Sequence, residues 1–131
     1  MSGIHLHIIA EGQTEQQFVL KVLAPHLAHY HVYADARCIL TSKDKHTGRQ
    51  SRGGLPNYLK AKNDIQRWLK EDSRKNCRFS TMFDLYALPN DFPDFAQAKS
   101  YSDPYQKISC LEAALVQDIG DSRFIPYIQL H

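Results

Sequence analysis

With 131 residues, 43% of them hydrophobic and 23% charged, the chain has the composition of one ordinary folded domain, long enough to bury a core without disulfides or a structural metal. No apolar run approaches the roughly 20 residues that a membrane-spanning helix needs, and a formal net charge of +2 is too small to demand a polyanionic partner. The three cysteines, Cys38, Cys77 and Cys110, lack the paired spacing of a zinc site, and their odd number argues against a disulfide framework, leaving reduced core thiols as the expectation.

The chain opens on an apolar run, residues 4 to 10, that ends at Glu11-Gly12-Gln13-Thr14-Glu15. A continuous apolar run of this kind is the pattern of a buried strand in an α/β sheet, and ligands of such sheets bind beyond the carboxyl ends of the strands. No basic leader, hydrophobic segment or cleavage site precedes the run, so the cytoplasm is the expected compartment. Thr14 is a candidate cap for a helix over roughly 15 to 29, whose apolar positions Phe18, Val19, Val22, Leu23 and Leu27 recur at helical spacing. Residues 32 to 41 read as a second strand. A basic, glycine-bearing loop follows at 42 to 54, with Lys43, Lys45, Arg49 and Arg52 set against a single Asp. Asn57 then caps a helix to about 72 that turns Leu59, Ile65, Trp68 and Leu69 inward. Residues 78 to 85 form a third strand that again ends at an acid, Asp84, and Pro89 and Pro93 force an irregular loop after it. Asp103-Pro104 starts a helix that Gly120 stops, with Ile108, Leu111, Ala114, Leu115 and Ile119 as its apolar face. Residues 124 to 130 make a fourth strand, in which Pro126 removes a ladder donor, so that the strand starts late or lies at an edge.

Alternating strands and helices imply one three-layer α/β/α domain over residues 1 to 131, with a mainly parallel four-stranded sheet of Rossmann-like topology and right-handed crossovers. If the first and third strands are neighbours, Glu11 and Asp84 meet in one cleft, with Glu15, Asp91 and Asp94 on the adjoining loops. Such a cluster suits Mg²⁺ or Mn²⁺, which takes oxygen ligands and keeps several waters. The same residues have plainer readings: Thr14 and Glu15 as a helix start, Asp84 as an Asx turn, the basic loop as a solvated segment. His5 and His7 share one side of the first strand, where packed, hydrogen-bonded histidines are commoner than metal ligands. His26, His29 and His31 cluster at the end of the first helix, where a cation suits the dipole.

Three ordered segments carry a resemblance: Glu11-Gly12-Gln13-Thr14-Glu15 after an apolar strand; Thr81-Met82-Phe83-Asp84-Leu85-Tyr86 with Leu88-Pro89-Asn90-Asp91-Phe92-Pro93; and Phe124-Ile125-Pro126-Tyr127-Ile128-Gln129-Leu130-His131. Together they resemble a prokaryotic domain-of-unknown-function family with a Toprim-like fold, often encoded beside AAA-type or SMC-like ATPases. The Toprim group uses a Glu after the first strand and an Asp-x-Asp after the third for metal-dependent phosphoryl transfer. That resemblance implies Glu11 as general acid/base or metal ligand and Asp84 as metal ligand. The second Asp of the pair falls on Tyr86, and Asp91 replaces it if its loop folds back. Members of the family continue past the final His, which implies that this chain is shorter than the complete domain.

The expected activity is therefore cleavage of DNA or RNA phosphodiesters with Mg²⁺ or Mn²⁺ at Glu11, Asp84 and Asp91, while Lys43, Lys45, Arg49 and Arg52 grip phosphates without reading bases. The rival expectation, favoured by Tyr86, is a non-catalytic regulatory or binding partner of an AAA-type or SMC-like ATPase. A nucleotide-binding enzyme is disfavoured, because neither Gly-x-Gly-x-x-Gly nor a P-loop lysine motif is present.

Overall fold

The computed structural model describes residues 3–39 and 55–130. Strand β1 (Ile4–Ala10) leads through helices α1 (Gln13–Phe18) and α2 (Ala24–Ala28), joined by a π-helical turn (Val19–Leu23), to β2 (Val32–Cys38). Helix α3 (Tyr58–Glu71) precedes β3 (Cys77–Asp84), a 3₁₀ turn (Leu85–Ala87) and the short α4 (Phe95–Lys99); α5 (Pro104–Ile119) then leads to β4 (Ile128–Gln129).

The strands lie in the order β2-β1-β3-β4, and every pairing between them is parallel. Because side chains alternate across a strand, β1 and β3 are covered on both faces, as their apolar runs require. Ile8, Ala36 and Met82 point to the layer formed by the first helical segment, against Val19 and Leu23. Ile9, Cys77, Phe79 and Phe83 point the other way, into the main core with Ile65, Trp68 and Leu69 of α3 and Leu111 and Leu115 of α5. The result is the expected three-layer α/β/α arrangement of Rossmann-like topology. From β1 the chain runs first to β2 on one side, then returns to β3 on the other. That reversal opens a crevice at the carboxyl ends of β1 and β3.

Several local expectations are corrected. The first helix begins at Gln13 with Gly12 as N-cap, so Thr14 lies inside the first turn rather than capping it. Of its five apolar positions only Val19 is buried; Phe18 and Val22 are exposed, since the apolar cluster on this side of the sheet is small, with Ile8, Ala36 and Met82 as its buried strand residues. Leu59 is likewise exposed: at about 100° per residue it stands about 120° from Ile65, outside the stripe made by Ala61, Ile65, Trp68 and Leu69. Strand β2 ends at Cys38, earlier than expected, and its anticipated last two residues lie outside the described ones. The loop after Pro93 contains α4, an additional short helix packed on α5.

The fourth strand starts late, at Ile128, and lies at the edge of the sheet, as Pro126 implies, though it is much shorter than residues 124 to 130. Phe124 bridges to Phe79, with the Ile125 amide donating to Phe79 O at 2.7 Å, but Pro126 then interrupts the ladder. The Thr81 hydroxyl fills the gap, accepting from the Tyr127 amide at 2.9 Å and donating to its carbonyl at 2.7 Å. Only Ile128 and Gln129 resume strand pairing, opposite Phe83 and Asp84. Arg123 fastens this segment to α3: its guanidinium donates to the carbonyls of Leu69 (3.0 Å) and Asp72 (2.6 Å), occupying acceptors that the end of a helix leaves open.

Candidate functional site

The carboxyl ends of β1 and β3 bring two of the proposed acids together. Glu11 directly follows β1, and its amide still donates to Met82 O of β3 at 3.2 Å. One step further the strands splay, and the Glu11 side chain continues the ladder, its Oε1 accepting from the Asp84 amide at 3.0 Å. The Asp84 carboxylate accepts from the Tyr86 amide at 3.0 Å and caps the 3₁₀ turn, the Asx geometry that lets the chain leave the sheet abruptly. Both acids are partly exposed at the crevice mouth.

The neighbouring candidates have other placements. Glu15 lies in the first turn of α1, where an acid suits the helix dipole. Burial, and after it the Glu15 carboxylate, push the Cys38 thiol up at the end of β2, where Sγ donates to Gln16 Oε1 at 3.1 Å. Asp91 lies at the start of α3, and its two carboxylate oxygens are 3.0 and 3.1 Å from the Tyr58 amide, which donates to them. Asp94 is the N-cap of α4 in a left-handed conformation (φ 59°) that Asp tolerates better than most residues. Tyr86 points to solvent. Lys43, Lys45, Arg49 and Arg52 lie outside the described residues.

A second polar centre, which the sequence reading treated as a packed histidine, lies lower on the same sheet. His7, buried in mid-strand, has Nδ1 2.6 Å from Asp35 Oδ1 of β2 and Nε2 2.7 Å from Asp72 Oδ2, just after α3. Its ring packs against Trp68 and Phe79, with centroids 4.5 and 5.0 Å away. Arg74 donates to both oxygens of Asp72, at 2.8 and 2.6 Å, and this cation, then Cys77 and His7, holds the Asp72 carboxyl well below the usual carboxylate range. His5 stacks at the edge against Tyr33. The partners of His7 are 28 and 65 residues away, so no local spacing announces them. All three cysteines are free thiols, but only Cys77 is fully buried.

Among the described residues, no helix is long and apolar enough to cross a membrane. A family model described as a domain of unknown function (DUF4276) matches residues 10–131. No curated protein matches the chain, and no solved structure does.

Proposed function

The chain belongs to the DUF4276 family, a domain of unknown function, and we propose, from its strand-end acids together with the Toprim-like resemblance of its motifs, that it is a Mg²⁺- or Mn²⁺-dependent hydrolase of nucleic-acid phosphodiesters; the resemblance also implies that it works with an ATPase in defence or repair. The observation that carries this reading is the Glu11 carboxylate reaching the backbone amide of Asp84 at the strand-order reversal, the crevice where doubly wound sheets bind ligands. Two carboxylates are hard oxygen donors, the set that Mg²⁺ takes together with waters and substrate phosphates. The bound cation would supply an activated water and charge neutralisation at the phosphate. Asp84 would hold it, Glu11 would accept or return a proton at its carboxylate, and Lys43, Lys45, Arg49 and Arg52 would grip DNA or RNA phosphates without base readout.

A nuclease assay with Mg²⁺ or Mn²⁺ tests this. Glu11→Gln and Asp84→Asn keep the hydrogen-bonding shape and should each lower cleavage by about 100-fold or more. Equal cleavage by wild type and both variants would refute the assignment.

One observation favours a non-catalytic reading, in which the domain regulates or binds an ATPase. Tyr86 stands where the related motif carries a second acid, and Asp91, the substitute carboxylate, is engaged at the start of α3. Calorimetric titration with Mn²⁺ separates the two: heat abolished by Glu11→Gln supports the hydrolase, and heat indifferent to Glu11 supports the scaffold.

A further inference from the structure

We propose that His7, Asp72 and Cys77 form a Zn²⁺ site, separate from the strand-end acids and oriented by Asp35. One donor atom from each of the three residues lies within 4.8 Å of the others, a gathering of His, Cys and acid side chains that brings together β1, the end of α3 and the start of β3. His7 Nε2 is 2.7 Å from Asp72 Oδ2 and 3.8 Å from Cys77 Sγ. Tetrahedral zinc, with bonds of about 2.0–2.3 Å, sets its donors roughly 3.3–3.6 Å apart. The His7–Asp72 pair must therefore open by roughly 0.6 Å, the His7–Cys77 pair close by roughly 0.2 Å, and the Asp72–Cys77 pair, within 4.8 Å, settle at about 3.6 Å, movements made by side-chain torsions.

The surroundings match what a zinc histidine requires. A ligating imidazole nearly always gives its other N–H to a carboxylate, which fixes the ring and the tautomer. Here Asp35 takes that place, 2.6 Å from Nδ1, leaving Nε2 facing Asp72 and Cys77. Trp68 and Phe79 pack against the ring at a tilt. An open cleft of about 490 Å³, lined by His7, Asp35, Trp68 and Asp72 among others, connects the cluster to solvent and leaves room for a water as fourth ligand.

Charge balances as well. Carboxylate and thiolate neutralise a divalent cation, and Asp35 offsets Arg74, the cation already bound to Asp72. A thiolate and an imidazole with Nε2 unprotonated are the forms that bind, so loading the site is coupled to proton release. Zinc rather than Mg²⁺ follows from the thiolate and imidazole donors, which suit borderline-soft ions.

The test uses the full chain and Co²⁺ as a spectroscopic substitute for zinc. The expected result is a thiolate-to-cobalt charge-transfer band that saturates at one equivalent and that Zn²⁺ displaces. The band should vanish in Cys77→Ser and persist in Cys38→Ser and Cys110→Ser. Asp35→Asn, at a largely exposed side chain that poses little risk to folding, should weaken affinity by about 10- to 100-fold. Calorimetry with Zn²⁺ in buffers of different ionisation enthalpy should show proton release on binding. No charge-transfer band in the wild type, whether or not cobalt binds elsewhere, or a band that depends on Cys38 instead of Cys77, would overturn the proposal.

Discussion

Asp91 shows how one carboxylate can be read in two ways and how the readings part under mutation. Its oxygens take the Tyr58 amide, one of the donors that the first turn of α3 leaves open, while Asn57 takes the Lys60 amide at 2.8 Å. Asp91→Ala should therefore cost about 1 kcal/mol of stability, measured by urea denaturation, whatever it does to activity. An unchanged midpoint would show that the contact carries no energy. Phe79 is a contrasting case: it lies at the centre of the core between Trp68, His7 and the Arg123 guanidinium. Its truncation to Ala should cost about 3–5 kcal/mol, because neighbours fixed on the sheet cannot collapse into the space.

At the scale of elements, local chemistry explains which segments were legible. Helix α5 was readable at both ends: Asp103 takes the Tyr105 amide, Pro104 opens the first turn, and Gly120 closes the helix at φ 73°. Gly120→Ala, forced into a left-handed conformation, should lower stability by about 1 kcal/mol, and a neutral effect in thermal unfolding would show that the helix end has re-formed elsewhere. Strands β1 and β3 were equally plain, because burial on both faces gives uninterrupted apolar runs. The π-helical turn and α4 were not, and of the last strand Pro126 announced the late start and the edge position but not the contact that bridges the gap. That contact is made by Thr81, 46 residues away in sequence. The same limit divides the sites. Glu11 and Asp84 were visible because strand ends mark the crevice, whereas Asp35, Asp72 and Cys77 reach His7 only through the fold.

For the molecule as a whole, paired carboxylates set the response to acid. The Arg123 side chain, and then its amide, hold the Asp121 carboxyl below its ordinary range; the Tyr58 hydroxyl, and then Lys62, do the same for Asp118. A carboxyl depressed in the folded state contributes stability that is present above its unfolded pKa, about 3.9, and is lost as pH falls through the lower folded value. The urea midpoint should thus decline from about pH 5 downward, and the decline should be shallower in Asp121→Asn. Identical profiles for the two proteins would exclude a contribution from this pair.

The unequal lengths of the outer strands bear on how copies of this domain meet one another. A foreign strand approaching beside β4 finds two paired residues and then Pro126, which offers no amide, so nothing there can template a growing stack. At the opposite border, β2 runs for seven residues but places Asp35 and Arg37 on the approach, each already bound to a partner that an intruder would have to displace. Crowded molecules should accordingly resist fibrillar assembly, and neutralising Asp35 and Arg37 together is the change that would expose them to it.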